Sequence, residues 1–166
     1  MLLSGEVAET AKKNEVQNYK FRVYLKNHAV EEELDKQFLK LHNELFAGYD
    51  CTKCRNCCRM YRGQFENDEI ERAAKRLNML CDEFIEKFLT KDNCEMNYVT
   101  KNKPCDFLED NGECMLGDCK SESCKNYPYT NQPGRLWSLL GFIDSVSVCP
   151  VAYEICERLK EMYNFK

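Results

Sequence analysis

The sequence predicts an α+β fold: one small, mostly helical domain over residues 1–166, with a single short β-hairpin. Three observations carry that prediction. Apolar residues recur at helical spacing in two stretches, 29–47 and 151–162. Between them, Asn111-Gly112 joins two short arms, and Asn-Gly is the strongest local signal for a hairpin turn. The third observation is Cys51-Thr52-Lys53-Cys54-Arg55-Asn56-Cys57-Cys58, which holds four thiols in eight residues. Packing does not explain thiols at that density. Metal ligation does, so the domain is expected to be organised around one or more cysteine-ligated metal sites.

Composition bounds the function classes. With 166 residues, 43% hydrophobic and 31% charged, the chain is long and apolar enough for one real core. The net charge of −4 argues against nucleic acid as a partner, because backbone binding needs a basic face. No apolar run has bilayer length, so no membrane partner is expected. Residues 1–14 show no basic segment followed by an apolar one, so the expected compartment is the cytoplasm. In a reducing compartment, twelve cysteines read as metal ligands or catalytic groups rather than as a disulfide framework.

The elements follow in order. Residues 1–18 are polar and weakly patterned, frayed or a short helix. Tyr19 to Lys26 alternates aromatic or apolar with basic residues and reads as a short strand or extended arm. Val30, Leu34, Phe38, Leu41 and Leu45 line one face of a helix over 29–47. Glu31, Glu32 and Glu33 stand in its first turn, where the helix dipole favours them, and Gly48 offers a left-handed stop. The two histidines, His28 and His42, have no partner at ligand spacing. A helix from Asn67 or Asp68 to about Leu80 turns Ile70, Ala73, Ala74 and Leu77 inward, and Asp68 with Glu71 has capping-box spacing. Glu69 and Arg72 read as a solvated ion pair. A short helix over 82–89 follows, then a strand over 94–100.

The hairpin pairs 104–108 with 113–116 and brings Cys105 beside Cys114. In the apolar stretch 135–148, Trp137, Leu140 and Phe142 are expected in the core. Pro150 suits the first position of the last helix, whose apolar face is Val151, Ile155, Leu159 and Met162. Cys149 then falls at the N-cap, where the dipole favours thiolate.

Eight of the twelve thiols have a positional argument as metal ligands: Cys51, Cys54, Cys57, Cys58, Cys105, Cys114, Cys124 and Cys149. A C-x-x-C pair closes a small ring about one ion, and a second step adds a third sulfur, as in cluster-binding runs. Cys58 points away from Cys57 and suits a second, neighbouring metal. Cys81, Cys94 and Cys156 read as small buried hydrophobes; Cys119 is open. Eight thiolates make two four-sulfur sites, or one site plus a reactive set. Four thiolates around a dication carry a net charge of about −2, which Lys53, Arg55, Arg59 and Lys125 would offset. Thiolate zinc sites bind with about 10–16 kcal/mol, against a net folding stability of about 5–15 kcal/mol. Metal is therefore expected to hold the fold.

These residues resemble the CxxCxxCC cysteine-cluster family, a zinc- or iron-chelating domain that includes flagellin lysine-N-methylase-like proteins. The resemblance rests on Cys51-x2-Cys54-x2-Cys57-Cys58, Asp68-Glu69-Ile70, Pro104-Cys105-Asp106-Phe107-Leu108, Cys114, Cys124-Lys125-Asn126-Tyr127-Pro128 and Cys149-Pro150. The chain departs from the family at Lys120-Ser121, where Arg-Pro is usual, and at Lys125, where arginine is usual. Lysine lacks arginine's planar fork. The resemblance implies chelation, and methyl or electron transfer only loosely.

Two function classes follow. The first is a metal-binding protein holding an iron–sulfur cluster or zinc in a structural or redox role. The second is an enzyme, an iron–sulfur oxidoreductase or a lysine N-methylase-like protein. None of the seven glycines forms a cofactor loop after a strand, which weighs against methyl transfer. All-cysteine ligation, the triple step and the Cys-Pro pair favour iron–sulfur; the C-x-x-C knuckle and the hairpin pair favour zinc. The balance leans to iron–sulfur.

Overall fold

A computed structural model describes residues 1–92 and 97–166. The described elements run α1 (Val7–Lys13), α2 (Glu15–His28), α3 (Glu31–Phe46), α4 (Cys51–Cys54), α5 (Asn56–Met60), β1 (Gln64–Phe65), α6 (Asn67–Arg76), α7 (Cys81–Phe88), β2 (Leu89–Lys91), β3 (Tyr98–Thr100), α8 (Glu122–Asn126), α9 (Leu139–Val146) and α10 (Pro150–Met162). The protein is thus mostly helical with a small antiparallel sheet. It forms two compact units, one from Met1–Asp50 with Pro128–Lys166, the other from Cys51–Tyr127.

The first unit is all helical. Residues 19–26, expected to be extended, belong to α2. Asn18, Phe21 and Leu25 recur at steps of three and four and are buried, whereas Tyr19 and Val23 face solvent. Helical period, not alternation, decides which residues enter the core. α3 buries Leu34, Phe38 and Leu41 of its predicted stripe, whereas Val30, at the N-cap, is exposed and Leu45 is half-buried. It ends through Ala47 in right-handed conformation, so Gly48 is not used as a left-handed stop. α10 packs on α3 and α9, and the Phe38 and Phe142 rings meet edge to face at 4.7 Å. Cys149 caps α10 and Pro150 opens it, as expected. Val151, Ile155 and Leu159 are fully buried, and Met162 is not. Trp137 is 75% exposed and Leu140 half exposed, against expectation. The Trp137 ring instead lies under the Lys26 ammonium, 4.6 Å from its centroid.

The second unit builds its core from Phe65, Ile70, Ala73, Ala74, Phe84, Phe88, Leu89, Phe107 and Leu116. The sheet has the order β1-β3-β2. The strand predicted over 94–100 is seen at Tyr98–Thr100; residues 93–96, with Cys94, lie outside the described residues. The Asn-Gly reversal is present, with Gly112 at φ +84° and its N–H donating to Glu109 O. Its ladder shrinks to a single bridge between Leu108 and Cys114. Phe107 and Leu116 turn into the core there, which bends the arms away from extended pairing.

α6 stops at Arg76, and Asn78 at φ 55° reverses the chain before the predicted end. Its cap is shifted by two residues from the expected Asp68–Glu71 pair: Glu69 Oε2 accepts the Glu66 N–H at 2.8 Å. Glu69 is buried, and its other oxygen accepts the Glu122 N–H at 2.7 Å. The expected surface pair with Arg72 is replaced by Arg72 with Asp68. Among the described residues, no single helix is long and apolar enough to cross a membrane.

Glu69 is therefore a strut between the starts of α6 and α8. Replacing Glu69 with Ala leaves two part-buried N–H groups without their carboxylate acceptor and is expected to cost about 2 kcal/mol in urea unfolding. Glu71→Ala, on the exposed face, is expected to change stability by no more than about 0.5 kcal/mol. Equal effects from both would refute the strut.

Candidate metal centre

The cysteine run folds as two one-turn helices, α4 with Cys51 and Cys54 and α5 with Cys57 and Cys58. Arg55 separates them in left-handed conformation, φ 51°. The break is held on both sides: Arg55 N–H donates to Cys51 O, and Arg59 Nη1 donates to Cys54 O. α5 then turns Cys57 and Cys58 apart by about 100°. The Cys58 carbonyl accepts the Cys105 N–H at 2.8 Å, which ties α5 to the reversing ribbon. The Leu108–Cys114 bridge sets Cys114 on the ribbon's other arm.

Cys124 comes from α8. Ser123 fixes that helix to β1, its hydroxyl accepting Gln64 N–H at 2.7 Å and donating to Gln64 O at 3.1 Å. Next to β1, Gly63 provides clearance: a Cβ there would lie 2.4 Å from Cys124 Sγ. The Gly63 carbonyl in turn accepts Thr100 N–H from β3.

Within this unit, Cys51, Cys57, Cys58, Cys105, Cys114 and Cys124 all line one cavity of about 140 Å³. Phe65, Phe107 and Leu116 form its apolar wall, and Arg55, Lys120 and Lys125 bring positive charge to it. Tyr61 and Tyr127 also line it, their ring centroids 4.4 Å apart. Cys58, Cys105, Cys114 and Cys124 carry free thiols. Among the described residues, no three His, Cys, Asp or Glu side chains are arranged to hold a metal ion as they stand.

The electrostatics of the four thiols are linked. Cys58 is lowered to about 6, chiefly by its hydrogen bond with Cys57 and then by the charge and hydrogen bond of Arg55 and the charge of Lys120, against the effect of burial. Cys105 is raised to about 12, first by burial, then by negative charge on Cys124, Cys114 and Cys58. Burial also raises Cys124, with Cys58 and Cys114 adding to it, while hydrogen bonds from Ser121 and Ser123 pull the other way. Burial therefore keeps Cys105 and Cys124 protonated while Cys58 is favoured as thiolate, and the potential donors at the cavity are sulfurs with Arg55, Lys120 and Lys125 beside them.

The remaining cysteines are placed elsewhere. Cys54 is half-buried at the end of α4 and is not part of the cavity lining. Cys149 belongs to the other unit, buried at the N-cap of α10. Cys119 is half-buried, closing a short 3-10 turn after Gly117. Cys156 is a buried thiol as expected, raised to about 12 by burial. Cys81 is exposed at the start of α7 rather than buried. His42 bonds to the Thr130 hydroxyl at 2.9 Å and His28 to the Tyr24 carbonyl at 2.9 Å, both in the helical unit. Sequence reasoning missed Gly63, Thr100, Ser121 and Ser123. Their local sequence carries no ligand signal; only the fold brings them to the sulfurs.

Comparison of the chain with protein-family models, with curated proteins and with solved structures finds no match in any of the three.

Two outcomes are expected. In metal-free protein, Cys58 alkylation by iodoacetamide should follow a midpoint near pH 6, because the thiolate is the nucleophile and its folded value lies below the ordinary one. Below that pH the thiol protonates and the rate falls. Peptide mass spectrometry across pH 5–9 reads this directly, and a midpoint near the ordinary value of about 8.5 would contradict the site geometry. Gly63→Ala should displace Cys124, read as a changed rate of Cys124 alkylation by peptide mass spectrometry, while the helical signal in circular dichroism persists.

Proposed function

We propose that the protein is a metal-binding protein whose clustered cysteine thiolates hold an iron–sulfur cluster, in a structural or redox role. The observation that carries the reading is the meeting of Cys58, Cys105, Cys114 and Cys124, from three separate segments, around a single cavity. Cys51 and Cys57 line the same cavity and extend the donor set. The resemblance to the cysteine-cluster chelating family supports the same reading, although it is carried by motifs alone.

Two arguments favour a cluster over a single zinc ion. Zinc bound by four thiolates at about 2.3 Å leaves no water-sized space among its ligands, whereas the cavity here measures about 140 Å³. A buried water needs only about 10–15 Å³ of such space, so the cavity has room for a polynuclear group. The donor set is also all sulfur, with none of the imidazole that zinc sites often use. Once bound, such a group would supply one-electron chemistry and a cross-link between α5, the ribbon and α8. The chain's own residues would hold it, screen its charge through Arg55 and Lys120, and exclude water with Phe65, Phe107 and Leu116. Thiolate ligation needs reduced cysteines, so the reading goes with a reducing compartment such as the cytoplasm.

Purification without oxygen tests this. The expected result is a brown protein with broad visible absorption, containing iron and acid-labile sulfide in equal amounts. A colourless protein with stoichiometric zinc would keep the thiolate site and discard the cluster. A wild-type protein that takes up no metal would end both readings. Stripping the metal should lower the melting temperature, since binding free energy adds to folding free energy; an unchanged melt would exclude a structural role.

A further inference from the structure

Thr100 ends β3 and is 1% exposed. Its backbone N–H is satisfied by Gly63 O, but its hydroxyl Oγ1 is buried with no hydrogen-bond partner in the protein. A buried hydroxyl without a partner is costly and calls for an explanation. Thr100 lines the thiol cavity, together with Gly63 and Cys124 beside it. A second orphan donor, Arg55 Nε, belongs to another residue lining the same cavity, near Cys58. Two hydrogen-bond donors brought to one cavity by separate elements point to an occupant that accepts hydrogen bonds. The acceptors among the side chains lining it are the cysteine sulfurs and the hydroxyls of Tyr61 and Tyr127.

We propose that the Thr100 hydroxyl donates a hydrogen bond to a sulfur atom of the metal group held by Cys58, Cys105, Cys114 and Cys124. This rests on the proposed metal binding and assigns Thr100 as the residue that fixes the bound group from outside the ligand set. A thiolate or bridging sulfur accepts such a bond, and outer-shell partners of this kind hold ligands in place and tune the metal. β3 is well suited to the task. It is the central strand of the sheet, so both its edges are paired and Thr100 is held by backbone on each side. The hydroxyl is therefore preorganised and does not have to be ordered when the metal enters.

The test uses the full chain purified with its metal, as wild type, Thr100→Val and Thr100→Ser. Valine keeps the volume and removes the hydroxyl; serine keeps the hydroxyl. The chelator concentration that strips half the metal is read from the loss of visible absorption. The expected result is about 10-fold weaker retention in Thr100→Val, in the range typical of outer-shell partners, with Thr100→Ser close to wild type. Urea melts of the metal-free forms separate this from packing. There the valine variant should be as stable as wild type or more so, because it removes an unsatisfied buried hydroxyl. Equal retention by Thr100→Val and wild type would overturn the assignment while leaving metal binding intact. A valine variant destabilised without metal would overturn it in favour of a packing role. Failure of the wild type to hold metal would remove both proposals.

Discussion

Thiols that share one small cavity beside an apolar core ionise unequally, because burial and mutual repulsion oppose each further charge. The electrostatics of the second unit's cavity follow from that constraint. Burial holds the proton on Cys105 and Cys124, and the neighbouring sulfurs reinforce it. Cys58 escapes because Cys57, Arg55 and Lys120 stabilise its charged form. The arrangement is thus graded, with Cys58 favoured as thiolate and Cys105 and Cys124 held protonated by burial.

The scaffold answers the same constraint mechanically. Like-charged donors do not converge by themselves, so each is tied to backbone that has other reasons to be where it is. The Cys58 carbonyl takes the Cys105 N–H, Glu69 joins the start of α6 to the start of α8, and Ser123 pins α8 to Gln64 of β1. Cys105 and Cys114 also pack against the Phe65–Leu116 core. The hydrophobic cluster therefore positions the ribbon by packing alone.

The helices with wide amphipathic stripes were legible from sequence: α3, α6 and α10 bury the middle of the face their period selects, though not its ends at Val30 and Met162, and Cys149-Pro150 marks the start of α10. The stretch 19–26 was not, because Tyr19-Lys20-Phe21-Arg22-Val23 satisfies alternation, and only the register Asn18, Phe21, Leu25 shows the helical face. Trp137 was misplaced because ring size signals a preference for burial, not a direction; a cation on its face serves it at the surface. At the cavity, six of the cysteines singled out from sequence come together, but their grouping was not readable. Gly63 meets Cys124 from a segment far away in sequence, and nothing adjacent to it in the chain announces that.

The grouping itself turns on Arg55. C-x-x-C-x-x-C spacing describes three sulfurs on one loop that closes around one metal, with a following cysteine pointing away. Here the residue between the second and third cysteines is left-handed, and it is neither glycine nor asparagine, so the sequence gives no warning. The turn splits the run into α4 and α5. It brings Cys51, Cys57 and Cys58 to the cavity and leaves Cys54 outside its lining. The adjacent pair Cys57 and Cys58 both line the one cavity and are joined by a hydrogen bond. The same arginine places its guanidinium against Cys58, where its charge and hydrogen bond lower the thiol. A strained backbone position with an arginine side chain is costly in a surface turn of no consequence. Its cost is understandable if the kink and the charge are needed at the same point, beside the sulfur that ionises first.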